Sequence, residues 1–321
     1  MNIKSVTKSA VSLFSFLSLF LIASIIILSS FSLPEKRNQN YEEGEKPSGS
    51  TAMSTAPQMP EKIDFCGEKV PLENFYVKER LDRELIVNKY YHSSTILVLK
   101  RSARWFPVIE KILKENGIPE DFKYLSVIES NLENAVSHKG ATGFWQFMKA
   151  AGKRYGLEIN SEIDERYHVE KSTLAACKYL KDAYKKFGSW TLAAASYNRG
   201  MNGIRRQIKR QKAKNYYNLV LPEETSRYVF RIIALKDLFK DPSKYGYYLT
   251  DDELYKPIET YQVKVKSKIN HWADFAKRYK INYKTLKLFN PWIRDNKLTN
   301  KRKKTYRVKI PEKGAMHIIK D

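Results

Sequence analysis

Tyr124-Leu125-Ser126-Val127-Ile128-Glu129-Ser130 is followed within twenty residues by Gly143-Phe144-Trp145-Gln146-Phe147-Met148. These two stretches decide the fold. Phe122, Leu125 and Ile128 recur every three residues, so the first stretch has a helical period and one inward face. Glu129 comes at the end of the run, where a side chain can leave a core and enter a cleft. Aromatic and aliphatic surroundings there would keep the carboxyl protonated, because desolvation disfavours the charged form. The second stretch places an aromatic pair and a glutamine directly after a glycine, as a turn does.

Helical patterning continues on both sides. From Arg101, Phe106-Pro107-Val108-Ile109 leads into Ile112-Leu113, and Gly117 with Pro119 ends that helix and begins the next. Ser172 to Phe187 reads as a helix with Leu174, Cys177, Leu180 and Tyr184 on one stripe. Gly188 stops it, and Ser189 caps another helix from Trp190 to Ala195. Pro222-Glu223-Glu224 opens a further helix whose apolar face is Val229, Ile232, Ile233 and Leu235. Residues 63–245 therefore form one mainly helical domain. Beyond it the period changes. Thr260 to Val265 alternates as a strand, Trp272 to Tyr279 and Leu286 to Phe289 are spaced as helices, and Tyr306 to Pro311 alternates again.

The chain has 321 residues, enough for about two domains with cores. Apolar residues make up 42%, which argues against a largely disordered protein. There are 58 Lys and Arg against 35 Asp and Glu, a net +23, and residues 256–321 hold 19 basic and 5 acidic residues. Such a cluster points to a polyanion: nucleic acid, anionic lipid or cell-wall polymer. Lys4 and Lys8 precede an apolar run at 10–33, long enough to span a bilayer, since about 20 residues suffice. Export follows, into the periplasm, with residues 1–33 as a cleaved signal or as an anchor in the inner membrane. That argues against nucleic acid as a partner and for an anionic wall or membrane surface. Residues 34–62, rich in Pro, Gly, Ser and charge, read as a flexible linker. Cys66 and Cys177 read as free structural thiols, and the five histidines show no ligand spacing, so no metal site is expected.

Two further segments complete an ordered set: Ala195-Ser196-Tyr197-Asn198-Arg199-Gly200 and Glu224-Thr225-Ser226-Arg227-Tyr228-Val229. With the opening pair, they make residues 100–245 resemble the lytic transglycosylases of the soluble-lytic-transglycosylase, goose-lysozyme-like superfamily. The resemblance implies a lysozyme-like helical fold and cleavage of peptidoglycan glycan strands, with no cofactor. It implies Glu129 as acid and then base, the similar enzymes lacking a second catalytic carboxylate. Gln146 resembles the glutamine that bonds substrate, Ser137 the serine near an N-acetyl group, and Tyr197 and Asn198 the Ala-Tyr-Asn motif. Tyr228 matches a substrate-binding tyrosine whose hydroxyl faces the carboxylate or the cleaved sugar, Glu224 a buried structural carboxylate, and Ser130 a support of the loop. A goose-type lysozyme using water and a non-catalytic wall-binding scaffold are the alternatives.

Residues 256–313, strand–helix–helix–strand with Phe289-Asn290-Pro291 and a closing Ile310-Pro311, resemble the LysM glycan-binding module. Ser267-Lys268-Ile269-Asn270 stands where that family has Gly-Asp-Thr-Leu. The expected architecture is mainly α, with this small βααβ module after the helical domain. Charge rather than sugar recognition is expected to supply the tail's affinity, and its removal to spare cleavage of soluble fragments.

Overall fold

A computed structural model describes residues 55–316. The apolar run at 10–33 lies outside them, as do residues 34–54 and 317–321. Among the described residues no helix is long and apolar enough to cross a membrane. The expected linker is packed from Thr55 onward. Pro57 is buried and Met59 lies against the main core, while Lys89 Nζ and the Tyr90 hydroxyl donate to Thr55 Oγ1 and its carbonyl at 2.9 and 2.6 Å. Two apolar side chains are enough to pull that end of the segment onto the domain.

Strands β1 (Asp64–Phe65) and β2 (Glu68–Lys69) pair antiparallel around Cys66-Gly67. Both turn residues have positive φ, +55° and +80°, as a two-residue hairpin with native twist requires. Phe65 is fully buried and meets Phe122 edge-on at 5.3 Å. Helices α1 (Phe75–Tyr90) and α2 (His92–Glu115) follow. α2 begins earlier than the pattern from Arg101 suggests, because Val98 and Leu99 are already buried, and it carries Pro107 within.

Helix α3 (Lys123–Ser130) is short, entered through a tight turn at Glu120–Phe122. It ends on two left-handed residues, Asn131 (φ +52°) and Leu132 (φ +59°). Asn accepts that conformation readily; Leu does not, and its complete burial holds it there. After α4 (Lys149–Arg154), α5 (Val169–Phe187) ends at Gly188 with φ +67°. Ser189 Oγ then accepts the Leu192 N–H at 3.3 Å and starts α6 (Trp190–Arg199). The α5 stripe differs from expectation: Leu174 and Tyr184 are 41% and 39% exposed. Cys177 and Leu180 are buried as expected, and the buried face is completed by Thr173, Ala176 and Ala183, small side chains that let α2 and α6 approach closely. Tyr184 stacks on Trp190, the first residue of α6, at 4.0 Å at the edge of that contact.

Helix α7 (Met201–Gln211) leads to α8 (Glu223–Lys240), which packs along α1 and against α6 and α3. Val229, Ile232, Ile233 and Leu235 are buried, as the pattern predicts. Both cysteines are free. Burial pushes the Cys177 thiol up to about 12 and the Cys66 thiol higher still, helped by Asp121 and Glu68.

The C-terminal region is the expected βααβ module: β3 (Thr260–Val265), α9 (Trp272–Arg278), α10 (Tyr283–Phe289) and β4 (Tyr306–Pro311). β3 and β4 pair antiparallel from Thr260↔Pro311 to Val265↔Tyr306. Trp272, Phe275, Leu286, Ile293, Val308 and Ile310 make its core. Ile269, in the divergent turn, exchanges backbone hydrogen bonds with Leu298 at 2.8 and 2.9 Å. Asn290 is fully buried and ties α10 to β4 through the Lys309 N–H and C=O. The module is docked, not loosely appended. Ile163 of the helical domain sits in the module's core, and Trp292 stacks on His168.

Candidate active site

Glu129 occupies the penultimate position of α3, at the negative end of that helix's dipole. It opens on a cleft of about 600 Å³ whose walls include Glu84, Ala135, Arg227 and Arg231. Burial pushes its carboxyl up to about 7. A hydrogen bond from Tyr228 and the charge of Arg231 oppose that rise, and the Glu224 charge adds to it. Near neutral pH the group is therefore poised between acid and base, as a proton donor that must later accept one should be.

Tyr228 is buried in α8 and its hydroxyl donates to Glu129 Oε1. Burial and the neighbouring Glu129 charge push the Tyr228 phenol far above its ordinary value, so it stays a donor. Tyr197 on α6 is half-buried, and its hydroxyl donates to the Trp145 carbonyl at 2.8 Å. Burial raises it too, with the Glu129 charge second. The two tyrosines thus frame the carboxyl from two helices.

The Gly143–Met148 stretch is a clamped turn. Gly143 has φ +82°, and a Cβ there would stand 2.0 Å from the Arg166 carbonyl, so only glycine fits. Gln146 has φ +45° and donates through Nε2 to the carbonyls of Ala135 and Gly143 at 3.0 and 2.8 Å. Ser130 Oγ reaches the Ser126 and Phe144 carbonyls, each at 3.0 Å, tying the end of α3 to this turn. Phe144 and Trp145 are core residues, and Trp145 Nε1 donates to Thr173 Oγ1 at 2.8 Å.

Asn198 is half-buried on α6. Its Nδ2 donates to Glu224 Oε1 at 2.9 Å and its Oδ1 accepts from Thr225 Oγ1 at 2.7 Å. One N–H and one lone pair of the amide remain for a ligand. Glu224 is exposed, not buried as the resemblance implies. It lies in the first turn of α8, where a carboxylate is favoured by the helix dipole and can stay in water. Ser137 lies on the exposed loop between α3 and the clamped turn, its Oγ accepting the Ala141 N–H at 3.0 Å.

Other carboxylates around the cleft are engaged by cations. Glu133 pairs with Arg101, and buried Glu84 accepts from Arg83 and, bidentately, from Arg227 at 2.7 and 3.2 Å. Among the described residues no group of three or more His, Cys, Asp or Glu could hold a metal ion. Arg231 was not anticipated from sequence. It lies three residues after Tyr228 on the same face of α8 and donates to the Ile128 carbonyl at 3.3 Å. That spacing is the one local sign of its place.

A short helix presenting one enclosed carboxyl to a cleft, within a lysozyme-like helical body and followed by a βααβ module, defines the class. Residues 106–220 match the family of the transglycosylase SLT domain, and residues 261–314 that of the soluble lytic transglycosylase C-terminal LysM-like domain. The chain is similar to membrane-bound lytic murein transglycosylase D of Escherichia coli (strain K12), 28% identical over 243 residues, 73% of this chain and 52% of that protein. The protein of the same name from Escherichia coli O6:H1 (strain CFT073) matches with the same identity and coverage. The chain spans about half the length of these curated relatives.

Proposed function

We propose that this protein is an exported peptidoglycan lytic transglycosylase. It cleaves the β-1,4 bond between N-acetylmuramic acid and N-acetylglucosamine and leaves a 1,6-anhydro ring. The observation that carries this is the enclosed carboxyl of Glu129, pushed up to about 7 and bonded by the Tyr228 hydroxyl, while Glu84 and Glu133 at the same cleft are held by arginines. The two domain matches and the names of the similar proteins support the same reading.

In the first step Glu129 protonates the glycosidic oxygen, the C1–O bond breaks, and an oxocarbenium-like sugar is left. The Glu129 carboxylate then takes the proton of the muramyl C6 hydroxyl. O6 closes on C1, and the acid form of Glu129 is restored. The C6 hydroxyl belongs to the same sugar, so its effective concentration exceeds that of water. Gln146, Tyr197, Asn198 and Ser137 would bind the substrate's amide and hydroxyl groups, Tyr228 would orient Glu129, and Ser130 and Glu224 would hold the loop and Asn198.

The apolar run at 10–33 and the "membrane-bound" name of the similar proteins support a place in the cell envelope, with residues 10–33 as anchor or cleaved signal. The partners are glycan strands and, through the basic C-terminal region, an anionic wall or membrane surface. Digestion of purified sacculi in ¹⁸O-labelled water, with mass spectrometry of the released muropeptides, tests the chemistry. Anhydro ends without label are expected. Labelled reducing ends would establish the goose-type hydrolase instead, and sacculi left intact would leave a wall-binding scaffold.

A further inference from the structure

Four side chains from outside the loop of residues 131–148 hold the turn of residues 140–147, which presents Gln146. Three holds come from the helices α3, α6 and α5: Ser130 on Phe144, Tyr197 on Trp145, and Thr173 on the Trp145 ring. The fourth is Arg166. Its Nη1 donates to the Gly140 carbonyl at 2.9 Å and the Phe147 carbonyl at 3.1 Å, bridging the two ends of the turn. The Arg166 carbonyl is also the atom against which Gly143 packs.

Arg166 is itself aimed. Asp164 grips it bidentately, Oδ1 on Nε at 3.0 Å and Oδ2 on Nη2 at 2.7 Å, with side chains only 10% and 11% exposed. A fork-to-fork pair of this kind sets direction as well as distance. Asp164 in turn is anchored on the C-terminal module. Its N–H donates to the Trp292 carbonyl at 2.9 Å, and Arg294 N–H donates to the Glu162 carbonyl at 2.8 Å. Between them Ile163 is 1% exposed, inside the module's core and bridged to Ile293. Thr299 N–H adds a bond to Glu162 Oε2 at 2.8 Å.

We propose that the LysM-like module is a positioning element of the cleft: through Ile163 and Asp164 it fixes Arg166, and Arg166 fixes the turn that carries Gln146. Arg166 is then a positioning residue, without contact to the glycan. This rests on the reading of the turn as a glycan-binding element. It departs from the expectation that the tail can be removed without effect on soluble fragments. The reason is geometric, because the segment that aims Arg166 takes its anchorage from the module's core.

The test uses the full chain with Ile163→Ala, Arg166→Ala and Arg166→Lys. Ile163 lies outside the cleft, so its truncation acts on the turn only through the coupling. Hydrogen exchange at the Thr142, Gly143 and Gln146 amides should quicken about tenfold in Ile163→Ala and Arg166→Ala, with Ile232 and Ile233 in α8 unchanged. On a soluble glycan fragment, KM should rise about tenfold to a hundredfold while kcat falls less, since a turn displaced by an ångström binds poorly. Arg166→Lys, which keeps the charge and one donor direction, should recover part of the loss. Turn amides exchanging at wild-type rates in Ile163→Ala, or a lowered melting temperature with KM unchanged in Arg166→Ala, would overturn the proposal. A wild-type chain that cleaves no glycan would remove the functional reading, and the exchange comparison would still decide the coupling.

Discussion

The Tyr228 hydroxyl donates its hydrogen to Glu129 across 99 positions of sequence, joining the first half of α8 to the end of α3. That bond stabilises the carboxylate form, while enclosure by the core stabilises the acid form. The balance of the two places Glu129 near neutrality.

Tyr228→Phe removes the donor and leaves the ring. The carboxylate loses a partner, so the pKa of Glu129 rises and the alkaline limb of kcat moves to higher pH. The maximal rate should fall roughly tenfold to a hundredfold, because the carboxyl loses its orientation. A pH–rate profile on sacculi reads both effects, and an alkaline limb that stays in place or moves down would contradict the assigned bond.

Glu129→Gln should abolish turnover, lowering it by roughly a thousandfold or more, since the amide cannot deliver a proton. The same change should alter stability in a pH-dependent way. In the unfolded chain the carboxyl titrates near 4.5, and in the fold near 7. Below the first value both states are protonated and the carboxyl carries no ionisation penalty. As pH rises to about 7 the unfolded chain releases its proton first, so the native protein loses stability, by up to about 3 kcal/mol. Glutamine escapes that loss. Urea titrations should show the variant gaining over wild type at pH 8 and little at pH 4; an equal difference at both would contradict the shift.

Gly143→Ala puts a Cβ 2.0 Å from the Arg166 carbonyl at a backbone φ of +82°. Both the clash and the left-handed conformation oppose it, and about 3 kcal/mol or more of destabilisation is expected. Equilibrium denaturation gives the value directly. A change below about 1 kcal/mol would mean that the turn has another way to relax.

Lys301, Arg302 and Lys303 are exposed, whereas Lys304 and Lys309 are already paired with Glu158 and Glu170. Replacing the first three by Gln should weaken binding to anionic sacculi or vesicles roughly tenfold at low salt, with the fold intact. Raising the salt should erase the difference, because screening shortens to about 3 Å at 1 M. Binding of the wild-type chain to neutral chitin oligomers that ignores salt would show sugar recognition instead.

Much of the molecule is legible locally. Gly188 and Ser189 end one helix and begin the next as their chemistry requires, and β3 and β4 keep the bounds that their alternation indicates. Thr260 to Val265 needs no distant residue to declare its two faces. Glu129, Gln146, Tyr197, Asn198 and Tyr228 are likewise singled out by short segments, each carrying its own turn or helix end. Periodicity names the apolar face of an element but not what covers it. Leu174 and Tyr184 therefore stay more than a third exposed, while small residues of α5 join Cys177 and Leu180 in the contact. The exposure of Glu224, the arginine pairing of Glu84, and the meeting of Tyr228 with Glu129 depend on how α1, α3, α6 and α8 pack. The path from Ile163 through Asp164 to Arg166 is the furthest from sequence. An isoleucine, an aspartate and an arginine near one another in an irregular segment look ordinary. Only the docking of a second core onto that segment gives each of them a direction.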